Sequence, residues 1–289
     1  MRAMILLLVV LLLPSVAWAH GGESPDPAWT FDPFVVLPLL LSLWLYGSGT
    51  LRLWRRAGWG RGIRLWQAAS YGCGWLLLAA ALVSPLHWLG ERLFTAHMIE
   101  HEVIMAAAAP LLALARPLGA FLWALPPAWR PGAGRIARGA MLGPLAATVL
   151  HGAVIWLWHI PSVFDLTLVS TALHRLQHLS FLLSALAFWW ALFRRCERGA
   201  AVLHLFATAT HTGVLGALMV MAPRVLYLRQ TADALDFGLA PLEDQQLAGL
   251  VMWVPAGTVY AGAALLFAAL WVKHSSDGWR MQDGALRPS

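Results

Sequence analysis

Eleven histidines stand in a chain of which only 12% is charged, and their spacing is the first feature that could do chemistry. His97 and His101 are one helical turn apart with Glu100 between them, and His174 and His178 repeat the spacing. Residues i and i+4 share a helix face and i+3 lies beside them. Each pair therefore offers two imidazoles to one small volume, the first with a carboxylate alongside. Met105 continues the His97–His101 face, His159 closes another apolar segment, and Asp244 opens the last one. Imidazole suits copper, zinc, iron and nickel, and thioethers favour Cu(I). A nearby carboxylate can bind the ion or fix a histidine tautomer.

The leading expectation is a metal or metal-cofactor site built from His97, His101, His159, His174 and His178, with Asp244 and Glu100 at the same level. Three alternatives stay open. One is a metal-free polar network of histidine, carboxylate and backbone carbonyl that pins helices together. Another is proton or ion conduction, with His151, His211 and His204 continuing a route inward. The third is a haem b held between, for example, His101 and His178. His87, in a connector, and His274, in the tail, are expected to be ordinary surface residues. Most of Met98, Met105, Met219, Met221 and Met252 are expected as core or lipid-facing filler.

Several enzyme signatures are absent. His97-Met98-Ile99-Glu100-His101 places its glutamate one position too late for a zincin motif, and there is no Gly-x-Ser-x-Gly elbow. The two cysteines, Cys73 and Cys196, form neither a Cys-x-x-Cys motif nor a disulfide scaffold. No catalytic residue is expected, and the chain is read as a non-enzyme.

The elements that must position these histidines are membrane helices. In 289 residues, 60% are hydrophobic and 17 are tryptophan, and the mean hydropathy is +0.66. A typical soluble domain carries about 25% charge, so a soluble enzyme, a disordered chain and a nucleic-acid-binding module are all excluded. Arg2, the apolar run Ile5 to Leu13 and Ala17-Trp18-Ala19 read as a secretory signal peptide over 1–19. Cleavage there would leave His20 first, its amine and ring able to chelate copper together. A short outside segment, 20–32, follows. Apolar segments then run over 33–47, 65–84, 94–115, 140–160, 176–193, 202–222 and 247–271, and together they make a transmembrane domain over 33–272. The first can lengthen toward Arg52, and 273–289 forms a tail.

Charge placement orients the bundle. Arg52, Arg55, Arg56, Arg61 and Arg64 lie in the first connector, and Arg116, Arg130, Arg135 and Arg138 in the third. Arg194, Arg195 and Arg198 lie in the fifth, and Lys273, Arg280 and Arg287 in the tail. The alternate connectors hold few basic residues. By the positive-inside rule the N-terminus is outside and the C-terminus inside, as an odd number of spans requires. The net charge of +6 is thus a topology signal. The fold expected is an all-α polytopic membrane helix bundle with seven transmembrane helices. Leu118 to Leu125 is too short to span and reads as interfacial. Ala222 to Gln246 reads as an outside loop. Gly47 with Gly49, and Gly72 with Gly74, read as small-residue pairs for close helix packing.

At these residues the sequence resembles the CtaG family of cytochrome c oxidase assembly factors, the caa3 type. The resembling strings are His97-Met98-Ile99-Glu100-His101 leading to Ala109-Pro110-Leu111-Leu112, His159-Ile160-Pro161, and His174-Arg175-Leu176-Gln177-His178 before Trp189-Trp190. The most distinctive is Asp244-Gln245-Gln246-Leu247-Ala248-Gly249-Leu250 leading to Met252-Trp253. The match covers roughly 33 to 272. It implies an accessory protein of the bacterial cytoplasmic membrane that handles copper, with Cu(I) favoured, at the outer face. The implied partners are cytochrome c oxidase subunit II, where the CuA centre forms, or subunit I with CuB, together with a soluble copper carrier outside the membrane. The implied ligands are His97, His101, His174, His178 and Asp244, and His159 joins them.

Overall fold

The computed structural model describes the backbone of residues 28–285 and side chains as far as 274. The expected signal peptide and His20 lie outside the described residues. The described residues are helical almost throughout: α1 Pro33–Ala57, α2 Leu65–Val83, α3 Pro85–Gly90, α4 Phe94–Leu114, α5 Pro117–Ala124, α6 Arg130–Gly139, α7 Pro144–Trp158, α8 Pro161–Val169, α9 Thr171–Arg195, α10 Arg198–Met221 and α11 Pro241–Ala285. Prolines at the first turn start many of them, where a missing N–H costs nothing.

Among the described residues six helices are long and apolar enough to cross a membrane: α1, α2, α4, α9, α10 and α11. The expected fourth span, 140–160, is the exception. Gly143-Pro144 breaks it, and α7 leaves the preceding Pro127–Gly139 segment at 73°. The 15 residues of α7 reach only about 22 Å at 1.5 Å per residue, short of a hydrocarbon core about 30 Å thick. The count is therefore six, or seven if the bent pair is one span.

α4 is the axis of the bundle. It packs against α2, α3, α9 and α11, and it is the most deeply buried of the described spans. In α4 the helix widens over Val103–Ala108, where the Ala109 N–H bonds the Ile104 carbonyl five residues back. In that register Pro110 would serve the Met105 carbonyl, but it has no N–H. The Trp189 indole of α9 supplies the missing donor at 3.0 Å. The C-terminal carbonyls are satisfied likewise. Ser70 donates to Leu111, Gln67 and Arg194 to Leu114, and Tyr46 to Ala115. Then Arg116 turns the chain at φ 56° into Pro117.

Two small-residue contacts fix helix distances. A Cβ on Gly49 would lie 1.8 Å from the Ala120 carbonyl oxygen, so α5 lies directly against α1; Gly74 meets α4 at Ala108. Their partners in the expected pairs, Gly47 and Gly72, face open space. α10 and α11, the most extensively paired helices, cross at Gly216 and Gly249, where a Cβ on either would lie 2.7 Å from the other's carbonyl oxygen.

Arginines gather at one end. Arg52 reaches the Ala124 carbonyl, Arg194 the Leu114 carbonyl, Arg195 the Met141 carbonyl and Arg198 the Leu270 carbonyl. The opposite end is closed by the 222–240 connector, whose Tyr227 donates to the His159 carbonyl at 2.6 Å and whose Gln230 donates to the Gly90 carbonyl at 2.8 Å.

The Gly216–Gly249 crossing makes a direct prediction. Gly249→Leu should destabilise the folded protein by about 1–3 kcal/mol or more, because backbone rather than a movable side chain blocks the new carbons. Gly257→Ala, with nothing within 4 Å, should leave the detergent melting temperature close to wild type. Equal melting of the two variants would show that the helices do not meet there.

Candidate metal centre

Three elements bring imidazoles to one place at the arginine-poor end. The first turns of α4 carry His97 and His101, those of α9 carry His174 and His178, and α3 carries His87. The rings form one continuous cluster. Centroid distances are 4.2 Å for His97–His101, 5.2 Å for His101–His178, 4.5 Å for His174–His178, 5.6 Å for His97–His174 and 5.5 Å for His87–His174. His97 and His101 are 0% and 1% exposed, and His178 is 7% exposed. Phe164 and Phe181 close the apolar sides.

Neither ring nitrogen of His97 or His101 has a hydrogen-bond partner, nor does Nε2 of His174 or His178. A buried polar group left without a partner costs about 1–3 kcal/mol, so such groups are seldom found alone and hardly ever in a cluster. These six adjacent nitrogens, of which His178 Nε2 has the Glu100 carboxylate 3.6 Å away, form a donor set suited to a cation. One nitrogen from each of His97, His101 and His178 lies within 4.8 Å of the others, and the same holds for His87, His174 and His178. Nitrogens bound to one ion at about 2.0–2.1 Å lie roughly 3.3–3.6 Å apart, so either group would draw together to hold one.

Glu100 is the fully buried carboxylate of the cluster. Its Oε1 accepts from His87 Nδ1 at 2.8 Å and lies 3.6 Å from His178 Nε2. Burial disfavours the protonated His87 ring, but the hydrogen bond and charge of Glu100 outweigh it, and the His87 pKa lies above the ordinary imidazole value. A Cβ on Gly90 would lie 3.0 Å from Glu100 Oε2, so a glycine here lets α3 settle onto α4 and bring His87 down. The sequence reading placed His87 on the surface. The structure corrects this: its side chain is 13% exposed and in the cluster. The available signal was the connector's shortness, since the few residues between Val83 and Phe94 cannot carry His87 far from the mouth of the bundle.

The other expected site residues are placed differently. Asp244 is wholly buried, and its carboxylate accepts from the backbone N–H groups of Phe94 and Thr95 at 2.8 and 2.9 Å and from the Thr95 hydroxyl at 2.7 Å. Both oxygens thus cap the N-terminus of α4, satisfying two donors that no helical carbonyl can reach. Gln245 next to it accepts from Leu226 N–H and donates to the Met219 carbonyl, and Gln246 donates to Val220. The Asp-Gln-Gln string therefore clasps α4, α10 and the 222–240 connector together. His159 points Nδ1 at its own helix, at the Ile155 carbonyl, 2.7 Å away, while its Nε2 is buried and unpaired. It belongs to neither three-histidine group. Met105 lies in the apolar core.

Deeper histidines make separate contacts. His151 bonds Ser184 at 3.0 Å and Tyr260 at 3.5 Å, His204 bonds Thr148 at 3.0 Å, and His211 packs over Gly152. His174 is anchored by its neighbour. Arg175 pairs with Asp32 at 2.6 Å, and Asp32 also caps α1 through Phe34 N–H at 2.9 Å.

Helix bundle and buried imidazole cluster together define a polytopic membrane protein with a potential metal-binding centre at one end of its spans. Residues 44–274 match the family model described as cytochrome c oxidase caa3 assembly factor, Caa3_CtaG. The match covers most of the chain, which belongs to that family, a family of assembly factors and not of enzymes. No curated protein and no solved structure matches the chain.

The capping role of Asp244 is testable. Asp244→Ala should lower stability by about 1–2 kcal/mol or more, and Asp244→Asn, which keeps one acceptor, by less. Thermal melting in detergent reads the difference. Asp244→Ala melting as wild type would remove the carboxylate from this role.

Proposed function

We propose that this chain holds cuprous copper at the outer face of the bacterial cytoplasmic membrane and delivers it to cytochrome c oxidase during assembly. The observation that carries the reading is the triad of His97, His101 and His178, one nitrogen of each lying within 4.8 Å of the others in a buried cluster. Family membership supplies the process, and the triad supplies the chemistry.

Copper is the cargo. Three imidazoles bind a copper ion well, yet hold Cu(I) less firmly than thiolates would, which keeps exchange open. His174 completes the motif histidines of the set. His159, with one unpaired nitrogen nearby, is an auxiliary donor. Asp244 serves by holding the α4 terminus, and so the register of His97, and not by binding the ion. The positive-inside rule puts the arginine end in the cytoplasm. The histidine end then faces outward, with residues 1–19 a cleaved signal, 20–32 outside and 273–289 inside. Copper from a soluble extracytoplasmic carrier would reach the cluster there, and subunit II, with its CuA centre, would receive it; subunit I is the alternative acceptor. The ring packing supports a single ion and not a macrocycle. His101 and His178 stand 5.2 Å apart at 77°, with His97 and Phe181 against them, and a porphyrin between them would have to part the helices.

Purified protein should bind Cu(I) with nitrogen-only ligation in X-ray absorption. His97→Ala/His101→Ala should weaken that affinity by at least about tenfold and lower oxidase copper content in cells. Excess copper should partly restore it. Full oxidase assembly with the folded double variant would point to a metal-free scaffold.

A further inference from the structure

We infer that the cluster holds two copper stations sharing His178, and that the ion enters at the outer one before settling in the inner one. The inference rests on the copper reading above and assigns His87 a role. His87, His174 and His178 form one three-nitrogen group, and His97, His101 and His178 the other. Their exposure differs in one direction: His87 and His174 are partly open, while all three inner residues are buried.

The outer station is a built feature. Ser84 caps α3 by accepting from Leu86 N–H at 3.2 Å, Gly90 permits its close approach to Glu100, and Gln230 ties the Gly90 carbonyl to the outer connector. Glu100 engages Nδ1 of His87, and Nε2, 3.9 Å from the half-exposed Glu91 carboxylate, is the nitrogen left to donate to a metal. A carboxylate holding one imidazole nitrogen orients the other and raises its basicity.

Transfer needs only ligand exchange. Bonds from Cu(I) to the nitrogens of His87 and His174 break as bonds to His97 and His101 form, and His178 remains bound throughout. The copper keeps its oxidation state, so no electron donor or acceptor takes part. Stepwise exchange also means that the ion is never bare in an apolar interior, where desolvation would cost several kcal/mol.

Stopped-flow mixing of the full-length detergent-purified chain with Cu(I)–bicinchoninate tests the scheme. His87→Ala should slow loading about tenfold while weakening retention against chelator far less. Glu100→Gln, which removes no nitrogen, should slow loading in the same direction. His97→Ala/His101→Ala should still take up copper rapidly but lose it to chelator at least about tenfold more readily. Circular dichroism and melting confirm that each variant is folded. Loading of His87→Ala at the wild-type rate, or absence of fast uptake in the double variant, would overturn the two-station scheme. If wild-type protein takes up no Cu(I), the copper reading itself falls, a result distinct from either of those.

Discussion

Inside a bilayer a polar atom cannot fall back on water, and the structure follows from how α4 meets that constraint. Its widened turn and Pro110 release the Met105 carbonyl, which Trp189 takes up. Its C-terminal carbonyls are taken by Tyr46, Gln67, Ser70 and Arg194, and its N-terminal N–H groups by Asp244. Every one of these partners comes from another helix. The bonds that satisfy α4 are therefore the bonds that assemble α1, α2, α9 and α11 around it. In lipid, where helix association draws little from the hydrophobic effect, this is the specific part of the packing energy. Against so well satisfied a backbone, the buried side-chain atoms without partners on the same helix, the ring nitrogens of His97 and His101 with Glu100 Oε2 and Glu102 Oε2, stand out.

Much of this was legible in the sequence because helical periodicity and hydropathy are local. The paired histidines of α4 and α9 do meet, as their i,i+4 spacing and equal depth required. Charge asymmetry separated the arginine end from the histidine end. What was not legible depends on tertiary geometry. The break at Gly143-Pro144 lies inside an apolar run that hydropathy averages over, so the bend that leaves the count at six or seven was not visible there. His87 sits in a connector, and nothing in its spacing says that Gly90 will let α3 fold down onto Glu100. Of each small-residue pair, only the members facing a neighbour, Gly49 and Gly74, serve close packing, and sequence cannot say which face that is.

The Asp-Gln-Gln string shows how a signature that marks the family can carry a structural role that sequence does not display. A buried carboxylate level with a histidine cluster has the chemistry of a ligand. Yet Asp244 already accepts from two backbone N–H groups and a hydroxyl, and drawing it onto a metal would strip α4 of its cap. A helix N-terminus carries partial positive charge that favours a carboxylate there, so the residue is best satisfied where it is. Its connection to the histidine cluster is mechanical. His97 lies in the first turn of α4, three residues beyond Phe94, and His101 one turn further. Whatever fixes the Phe94 and Thr95 amides fixes the azimuth at which both imidazoles project toward α9. The same string, through Gln245 and Gln246, fixes the end of α10 and the connector carrying Tyr227, whose hydroxyl holds the His159 carbonyl. One short segment thus sets the frame of the cluster from two sides. In the proposed copper-handling role a three-imidazole site tolerant of exchange would need this, because ligands too weak to impose their own geometry must have it imposed by the fold.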